Sequence, residues 1–557
     1  MKPFHALIAC CLMALPFQTI AQTAPAPNYK GLSDGNPISA SVFCADPTAL
    51  DYNGRLYVYG TNDHQQYIVN KKSGSNGYGN IKSLVVFSTD DMVNWTFHGT
   101  IDVGKVCGSW CGQSWAPSAV WRKNTAGKDE FFIYFANGGG SVGVIKSTAS
   151  PLGPFNSPNS QAMIRHGMAG VDPCNWVFDP GAVVDSTGQG WIAFGGGDPQ
   201  STGSKLWPGN SRIAKLAKNM TSISGSAVNM PAPYLFEASE LNIIGGRFVY
   251  TYNTSWSDRP DWNTYEKRGS NPAPSACSMC YMVSDTPLDP DSWEYRGEYV
   301  PNEGTFGMGY GNNHTHLHKF QNNYYLFYHS TVLESAMNTG ASGFRSIGVN
   351  KATVNERTQK IGKMTLNKTG VSLIHNLDPY LLQQAETMAN SGGVSYEDFS
   401  NITKVTSKNT LGNDASQNLQ VQMQPGAWTQ VRKVDFGTGA DSFTIHLKGA
   451  GKVELRFGKS SAAKATLDFE ARAFQDFTIS VDPTQFKGIR DLYIYFPEAN
   501  NAFFDSWQFT KDEQTAVRSI AVHGTDDGRI YDLSGRSVRN TKPRGLYIYK
   551  GKKVVVK

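Results

Sequence analysis

One short pattern occurs five times along this sequence: a polar or glycine-containing turn followed at once by an alternating strand rich in aromatic residues. The units begin at Asn53, Lys128, Gly188, Gly245 and Gln321, at intervals of 57 to 76 residues. A turn before an alternating strand predicts a β-hairpin, and a unit repeated along the chain predicts a repeat architecture. No long helical period lies between the units. The pattern predicts an all-β fold that begins with a five-bladed β-propeller, four strands to a blade.

The strand before each turn carries the residues of chemical interest. Asp46, Asp179, Glu237 and His314 each lie seven to nine residues before their turn, and Trp115 holds a comparable place in the second unit. An isolated acid often caps a turn. Polar residues that recur in phase favour a shared site instead, because burying charge is costly without a purpose. If these strands are the innermost of their blades, the five side chains meet near the propeller axis.

Three acids at one site fit the hydrolysis of a glycosidic bond. That reaction needs one protonated carboxyl group for the departing oxygen and one ionised carboxylate for water or for the sugar carbon. A third carboxylate keeps the acid protonated by like-charge repulsion. Trp115, Trp176 and Trp256 are candidates for stacking on sugar rings, with packing in the core as the alternative.

The motifs around these residues resemble glycoside hydrolase family 43. They are Cys44-Ala45-Asp46-Pro47-Thr48, Ser114-Trp115-Ala116-Pro117, Phe178-Asp179-Pro180-Gly181, Phe236-Glu237-Ala238-Ser239 and Asn313-His314, in the family's order and spacing. The resemblance covers about residues 36–375. It implies a five-bladed propeller and inverting hydrolysis of arabinose or xylose linkages.

The resemblance also implies a role for each residue. Asp46 corresponds to the general base, Glu237 to the general acid, and Asp179 to the residue that modulates the pKa of the acid and orients it. His314 corresponds to the axial histidine that faces a bound calcium ion or its water, and Arg345 to an arginine that contacts the sugar.

Glu240 is a second candidate for the acid, because many relatives have glycine or an aromatic residue there. It follows Glu237 by three residues, so strand periodicity predicts that the two side chains face opposite sides of the strand. This argument favours Glu237.

Residues 379–512 alternate in short predicted strands and indicate a β-sandwich of the jelly-roll kind. Their motifs, among them Gln384-Ala385-Glu386 and Phe504-Asp505-Ser506-Trp507, resemble carbohydrate-binding module family 6. That resemblance implies a structural calcium ion held by Glu386 and Asp505. Trp428 lies where the family often has a sugar-binding aromatic residue, but Val431 replaces a frequent tyrosine, so the module either binds sugar weakly or supports the propeller.

Residues 513–557 predict a small β unit and resemble the C-terminal sorting domains of the Bacteroidetes type IX secretion system, a solvated basic tail being the alternative. The whole chain carries 51 Lys and Arg against 46 Asp and Glu. The tail holds ten of the former and four of the latter, so the other 512 residues sum to −1. This balance argues against nucleic acid as a partner of the main body.

The first 21 residues predict a signal peptide, with Lys2, an apolar run over 6–16 and a small-residue cleavage site at Thr19-Ile20-Ala21. A lipoprotein signal at Cys10 is the alternative. Six cysteines follow: Cys44, Cys107, Cys111, Cys174, Cys277 and Cys280. An even number in an exported chain favours disulfides, without indicating their pairing, over a four-thiolate zinc site.

Four segments are therefore predicted: a signal peptide (1–21), a propeller (22–378), a β-sandwich (379–512) and a sorting domain (513–557). The expected protein is a monomeric glycosidase, secreted or on the cell surface of a Bacteroidetes-like bacterium, without an organic cofactor. It resembles arabinoxylan arabinofuranohydrolases, which implies removal of arabinofuranose side chains from plant cell-wall arabinoxylan. The alternatives are β-xylosidase, endo-xylanase or arabinanase activity, and a propeller that binds sugar without catalysis.

Overall fold

The computed structural model describes residues 24–201, 203–396 and 419–511, and four strands between 530 and 556. The predicted signal peptide lies outside the described residues. The prediction of an all-β fold is confirmed, since the helices are few and short. None of the described helices is long and apolar enough to cross a membrane.

Twenty-three strands occupy the first part of the chain. They are β1 (Ala45–Tyr52), β2 (Arg55–Thr61), β3 (Gly74–Ser75), β4 (Leu84–Thr89), β5 (Trp95–Ile101), β6 (Trp115–Lys123), β7 (Asp129–Ala136), β8 (Ser141–Ser147), β9 (Ile164–Arg165), β10 (Gly181–Val184), β11 (Gly190–Phe194), β12 (Arg212–Leu216), β13 (Ile223–Asn229), β14 (Leu235–Ile244), β15 (Arg247–Thr254), β16 (Met279–Ser284), β17 (Glu294–Val300), β18 (Thr315–Phe320), β19 (Asn323–Ser330), β20 (Ala341–Ser342), β21 (Ser346–Ala352), β22 (Val354–Asn355) and β23 (Lys360–Ile361).

Short helices lie in the connections. The α-helices are α1 (Asp63–Val69), α2 (Val103–Cys107) and α3 (Val332–Met337), and the 3₁₀ turns are Gly108–Trp110, Trp262–Thr264, Glu266–Arg268, Pro290–Ser292 and Glu303–Phe306.

Five antiparallel sheets follow one another: β1-β2-β4-β5, β6-β7-β8-β9, β10-β11-β12-β13, β14-β15-β16-β17 and β18-β19-β21. All five predicted turn–strand units form the second strand of a hairpin, and the strand before each turn is the first. The turn at Asn53-Gly54 has φ of 51° and 80°, which matches the two-residue hairpin turn that Asn-Gly favours.

The first strands of the sheets pack against one another in a closed cycle, β1 on β6, β6 on β10, β10 on β14, β14 on β18, and β18 on β1. Apolar clusters fill the spaces between neighbouring sheets. Phe131 packs between the first and second sheets, for example, and Phe327 between the fifth and first. The residues that precede and begin the first strands are thereby brought to a common centre.

The next strands are β24 (Gln383–Gln384), β25 (Thr387–Met388), β26 (Asn390–Tyr396), β27 (Val421–Asp435), β28 (Ser442–Arg456), β29 (Ala465–Ser480) and β30 (Ile489–Thr510). They form a sheet of order β26-β27-β30-β28-β29, with β24 on β30, whereas β25 extends the first sheet beyond β5. The short strands predicted for this part belong to long ones, because bulges near Gly449 and Gly451, for example, bend β28 without ending it.

Residues 24–510 form one compact unit. Phe443 and Phe504 belong to the same apolar cluster as Phe87 of the first sheet and Phe327 of the fifth. Residues of the predicted first domain also lie against the second: the Lys30 ammonium donates to the Ala389 carbonyl at 2.7 Å. The boundary predicted near residue 379 is thus crossed by a continuous core.

Trp428 is not available to sugar, contrary to the alternative that the module binds through it. The ring is fully buried against Tyr493, and its Nε1 donates to the Ala26 carbonyl at 3.3 Å. Val431 is buried as well. The N-terminal segment around Ala26 covers the place where the family resemblance put a binding ring.

A separate unit comprises residues 511–557. Its strands are β31 (Ile530–Tyr531), β32 (Ser537–Val538), β33 (Gly545–Tyr549) and β34 (Lys552–Val556), in the order β32-β31-β33-β34. The predicted hairpin over 545–556 forms, while the turn residues Ser534-Gly535 lie outside the described residues.

Candidate active site

Four residues near the beginnings of the first strands have a left-handed backbone. They are Asp46, Ala116, Asp179 and Ala238, with φ of 48°, 39°, 45° and 60°. The strand register shifts beside Asp46, Ala116 and Ala238, which marks β-bulges. Bulges turn a strand and re-aim its side chains, and they are frequent next to active sites.

The bulges also tie three of the sheets to the sheet before them in the cycle. The backbone N–H of Ala116 donates to Thr61 Oγ1 at 2.8 Å, and that of Ala238 donates to Asp179 Oδ2 at 2.9 Å. The N–H of Asp46 donates to His329 Nδ1 at 3.1 Å. Each contact joins neighbouring sheets, so the strained positions are held from outside their own strand.

Asp46 is buried, and Arg345 and Thr61 donate hydrogen bonds to its carboxylate. Oδ1 accepts from Arg345 Nη1 at 2.8 Å and lies 3.2 Å from His329 Nδ1, and Oδ2 accepts from Thr61 Oγ1 at 2.6 Å. Burial alone would raise the pKa of Asp46, but its neighbours, the Arg345 charge foremost, outweigh burial and hold the pKa well below its usual value. Asp46 is therefore an ionised carboxylate at neutral pH.

Arg345 is only 4% exposed and is saturated by carboxylates. Its Nε and Nη2 donate to the two oxygens of Asp63 at 2.9 Å each, and its Nη1 donates to Asp46. The backbone N–H of Arg345 also donates to Asp63 Oδ2 at 3.0 Å. Beyond the predicted contact with sugar, the structure gives Arg345 the task of orienting Asp46, which sequence reasoning missed together with Asp63.

His314 lies between two of the predicted acids. Its Nδ1 is 3.7 Å from Asp46 Oδ1 and 4.0 Å from Asp179 Oδ2. Burial lowers the pKa of His314 to about 4, against the attraction of the Asp46 charge. Burial and the charges of Glu237 and Asp46 together raise the pKa of Asp179 well above its usual value. Asp46, Asp179 and His314 thus come together as predicted from their phase in the repeats.

Glu237 has a different environment from Asp46. Burial, followed by the Asp46 charge, raises the pKa of Glu237 to about 7. Its Oε1 accepts from Asn253 Nδ2 at 3.4 Å. One site therefore holds a carboxylate that stays ionised and a carboxyl group that can carry a proton near neutral pH, which is the division of labour that acid–base catalysis requires.

The prediction that Glu237 and Glu240 face opposite sides is wrong. Glu237 pairs with Asn253 and Glu240 with Thr251, and residues two apart on β15 share a face. The bulge at Ala238 inserts one residue and cancels the expected alternation. The Glu240 carboxylate nevertheless contacts a different residue: it is 2% exposed, and its Oε2 lies 3.1 Å from His316 Nδ1.

Two of the predicted tryptophans line the site. Trp115 is half-buried against Tyr78, with ring centres 6.2 Å apart, and its Nε1 donates to the Tyr78 carbonyl at 3.2 Å. The Tyr78 ring also lies 5.1 Å from the Arg345 guanidinium. Sequence reasoning missed Tyr78, whose only signal is an aromatic residue between Gly77 and Gly79.

Trp176 packs edge-on against Phe178 and Phe236, with ring centres 5.1 and 5.5 Å apart. These two rings precede Asp179 and Glu237 in the chain, so Trp176 flanks two of the acids. Trp256 is 49% exposed and follows the end of β15 by two residues. Its ring is accessible, as a sugar platform requires.

The predicted calcium ligands of the second part fit a cation. Glu386 is 1% exposed, and neither carboxylate oxygen has a hydrogen-bond partner among the described residues. Burial raises the pKa of Glu386 well above its usual value, and the Asp505 charge adds to this effect. A buried carboxyl group without a hydrogen-bond partner, such as that of Glu386, favours a compensating charge beside it, and oxygen ligands suit calcium.

The cysteines form neither of the predicted arrangements. All six described cysteines are free thiols. Cys107 and Cys111 pack in the core between the first and second sheets, whereas Cys280 packs in the core of the fourth. A four-thiolate zinc site is therefore absent, and within the described ranges no group of three or more His, Cys, Asp or Glu is arranged to hold a metal ion.

Comparison with known proteins gives a consistent result. A family model described as glycosyl hydrolases family 43 matches residues 35–359. Arabinoxylan arabinofuranohydrolase of Paenibacillus polymyxa is 31% identical over 559 residues, which cover 94% of this chain and 84% of that protein. The protein of the same name from Bacillus subtilis is 33% identical over 508 residues, or 86% of this chain and 93% of that protein.

A solved structure resembles the chain over nearly its whole length. It is a family 43 arabinoxylan arabinofuranohydrolase from Bacillus subtilis in complex with cellotetraose, with a TM-score of 0.76 and 32% sequence identity. The match covers 87% of this chain and 99% of that one.

Arg345→Met is expected to lower the free energy of unfolding by about 3–5 kcal/mol, because it leaves Asp46 and Asp63 buried without their counter-charge. The deficit should shrink at acidic pH, where protonation of Asp46 removes an uncompensated charge. Chemical denaturation at several pH values measures both effects. The matched control is Arg247→Met, which breaks exposed pairs with Asp285 and Glu294 and should cost at most about 1 kcal/mol. Equal losses in the two variants would contradict the prediction.

Proposed function

Because the chain belongs to family 43 of the glycosyl hydrolases and is therefore a glycoside hydrolase, we propose that it removes α-L-arabinofuranosyl side chains from arabinoxylan with inversion of configuration. The observation that carries the proposal is that the similarity to arabinoxylan arabinofuranohydrolases extends over both the five sheets and the following long-stranded sheet. A propeller of five blades and a β-sandwich are the architecture that we propose for these parts.

The chemistry follows from the two unlike carboxyl groups. Asp46, ionised and oriented by Arg345 and Thr61, accepts a proton from a water molecule that attacks the anomeric carbon. Glu237 donates its proton to the departing glycosidic oxygen, so the bond to the xylan chain breaks as the bond to water forms. Asp179 accepts a hydrogen bond from the backbone N–H of Ala238, which holds it beside Glu237, and repulsion between the buried carboxyl groups disfavours a negative charge on Asp179 while Glu237 is charged.

An uncharged sugar substrate fits a site with aromatic walls. Trp115 and Tyr78 form one wall, Trp176 flanks the acids, and Trp256 offers an exposed ring. Sugar rings present apolar faces that stack on such side chains. A propeller that only binds sugar would not need one acid held ionised and another held protonated, so the pKa difference between Asp46 and Glu237 favours catalysis.

We propose further that the enzyme acts outside the cytoplasm as a monomer. The signal-peptide pattern of residues 1–21 and the resemblance of residues 513–557 to sorting domains support export and contact with secretion machinery. A calcium ion held by Glu386 and Asp505 would stabilise the second part by neutralising their charge, while His314 as a calcium ligand stays a prediction.

Incubation with wheat arabinoxylan is expected to release free arabinose while the xylan backbone keeps its length. Chromatography of the sugars together with size-exclusion of the polymer measures both. Release of xylose would indicate a xylosidase, and shortening of the backbone an endo-xylanase. Activity confined to linear arabinan would indicate an arabinanase. Any of these three results would contradict the proposed substrate.

Glu237→Gln is expected to lower kcat on arabinoxylan by about 10²–10⁴-fold, because the glutamine has no proton to give. On an aryl arabinofuranoside with a good leaving group the loss should be much smaller, whereas Asp46→Asn should be inactive on both substrates. In the wild type, kcat/KM should fall above pH of about 7, where Glu237 ionises. Glu240→Gln is the matched control and should keep both activities. If Glu240→Gln shows the leaving-group dependence instead, the assignment of the acid is wrong.

Removal of calcium by a chelator is expected to lower the melting temperature, and added calcium should restore it, since a ligand at 100 times its Kd stabilises by about 3 kcal/mol. Glu386→Gln should abolish this response without changing kcat. The control Asp476→Asn removes an exposed carboxylate of β29 and should respond like the wild type. A chelator effect that persists in Glu386→Gln would place the ion elsewhere.

A further inference from the structure

Asn253 connects the proposed acid to the interior. It lies opposite Glu237 in the β14–β15 register and is fully buried. Its Nδ2 donates to Glu237 Oε1 at 3.4 Å and to Cys277 Sγ at 3.3 Å. An amide nitrogen carries two hydrogens, so these two acceptors use both. The amide oxygen of Asn253 is buried without a hydrogen-bond partner among the described residues.

Cys277 is held in one orientation by the loop before β18. Its backbone has φ of 48°, and its carbonyl accepts from the side-chain amides of Asn302 and Asn313 at 3.3 and 3.4 Å. Its thiol donates to the Gly311 carbonyl at 3.5 Å. Because the single thiol hydrogen points at Gly311, the sulfur presents only lone pairs to Asn253. The donor and the acceptor are thereby defined in each of the three hydrogen bonds that connect Glu237, Asn253, Cys277 and Gly311.

We infer that Asn253 and Cys277 are positioning residues that make Glu237 Oε1 a hydrogen-bond acceptor at every stage of the reaction, so that the transferable proton resides on Oε2. The inference rests on the proposed function, since it presumes that Glu237 is the general acid. It assigns a task to a buried cysteine and an asparagine that neither the sequence pattern nor the similarity to known proteins marks.

The proton balance follows from this assignment. In the protonated state Oε1 accepts from Asn253 and Oε2 carries the hydrogen. On bond cleavage that hydrogen moves from Oε2 to the glycosidic oxygen, and the negative charge left on the carboxylate is stabilised at Oε1 by the same donor. Water then returns a proton to Oε2. Asn253 does not move a proton itself, and Cys277 keeps its thiol hydrogen throughout.

The opposite orientation of the amide makes the opposite prediction. If Asn253 turned its oxygen toward Glu237, Oε1 would have to carry the proton, and the amide would stabilise the protonated acid instead of the carboxylate. The Cys277 thiol would then have to donate to the amide oxygen of Asn253 instead of to the Gly311 carbonyl. The sign of the change in the acid's pKa on removal of the amide therefore separates the two orientations.

The decisive experiment is the pH profile of kcat/KM on arabinoxylan for Asn253→Ala. Loss of a donor to the carboxylate is expected to move the alkaline limb to higher pH by about one unit. Cys277→Ala, which releases the amide to rotate, should move the limb in the same direction by less. Cys277→Ser keeps both a donor and an acceptor and should restore the wild-type profile. Thermal unfolding verifies that each variant is folded, and the Cys277 pair decides the question should Asn253→Ala fail to fold.

Cys280→Ala is the matched control, because Cys280 is equally buried three residues further along the chain but accepts from the Tyr295 hydroxyl at 3.3 Å. Its profile should match the wild type. An alkaline limb that moves to lower pH or stays in place in Asn253→Ala overturns the inference, as does a Cys277→Ala profile identical to that of Cys280→Ala. Glu237→Gln is measured in parallel. If it retains the alkaline limb, the proposed function has failed, whatever the Asn253 variants show.

Discussion

The guanidinium of Arg345 between two buried carboxylates is the interaction on which the site and the ring of sheets both depend. Arg345 precedes β21 in the fifth sheet, while Asp46 begins β1 and Asp63 begins α1, which follows the first sheet's second strand. The same ion cluster therefore closes the last sheet on the first and fixes the proposed base. A buried charge without its partner is costly, so the fold and the catalytic geometry are maintained together.

Chemically similar groups acquire different properties here because of their neighbours. Asp46 accepts from Arg345 and Thr61, which favour its charged form. Glu237 is buried and lies near the Asp46 charge, and both favour its neutral form; the Arg345 charge and the Asn253 amide oppose them without outweighing them. The low pKa of one group helps to raise that of the other, since the stable charge on Asp46 repels a second charge on Glu237. The acid and the base are thus coupled through space.

Strained backbone is the means by which several sheets present their side chains to one centre. The left-handed residues Asp46, Ala116 and Ala238 each use their N–H to contact the preceding sheet. Such bulges also explain where reasoning from the sequence failed. Strict alternation would separate Glu237 from Glu240, but the extra residue at Ala238 places them on one face. Periodicity alone cannot locate a bulge, because a bulge depends on contacts from another sheet.

The sequence by itself determined the all-β class, the five hairpins and the convergence of Asp46, Asp179 and His314, because turn residues, alternation and phase are local properties that repeat along the chain. The motifs of the second part also predicted Glu386 as a calcium ligand, and its oxygens are buried without a hydrogen-bond partner among the described residues. Only the tertiary structure decided that Arg345 orients Asp46 and that Trp428 is covered by the N-terminal segment. The same holds for the free state of the six described cysteines and for the place of Asn253 and Cys277 behind Glu237. These features join residues far apart in the chain, and no local pattern encodes which distant side chain fills a given buried position.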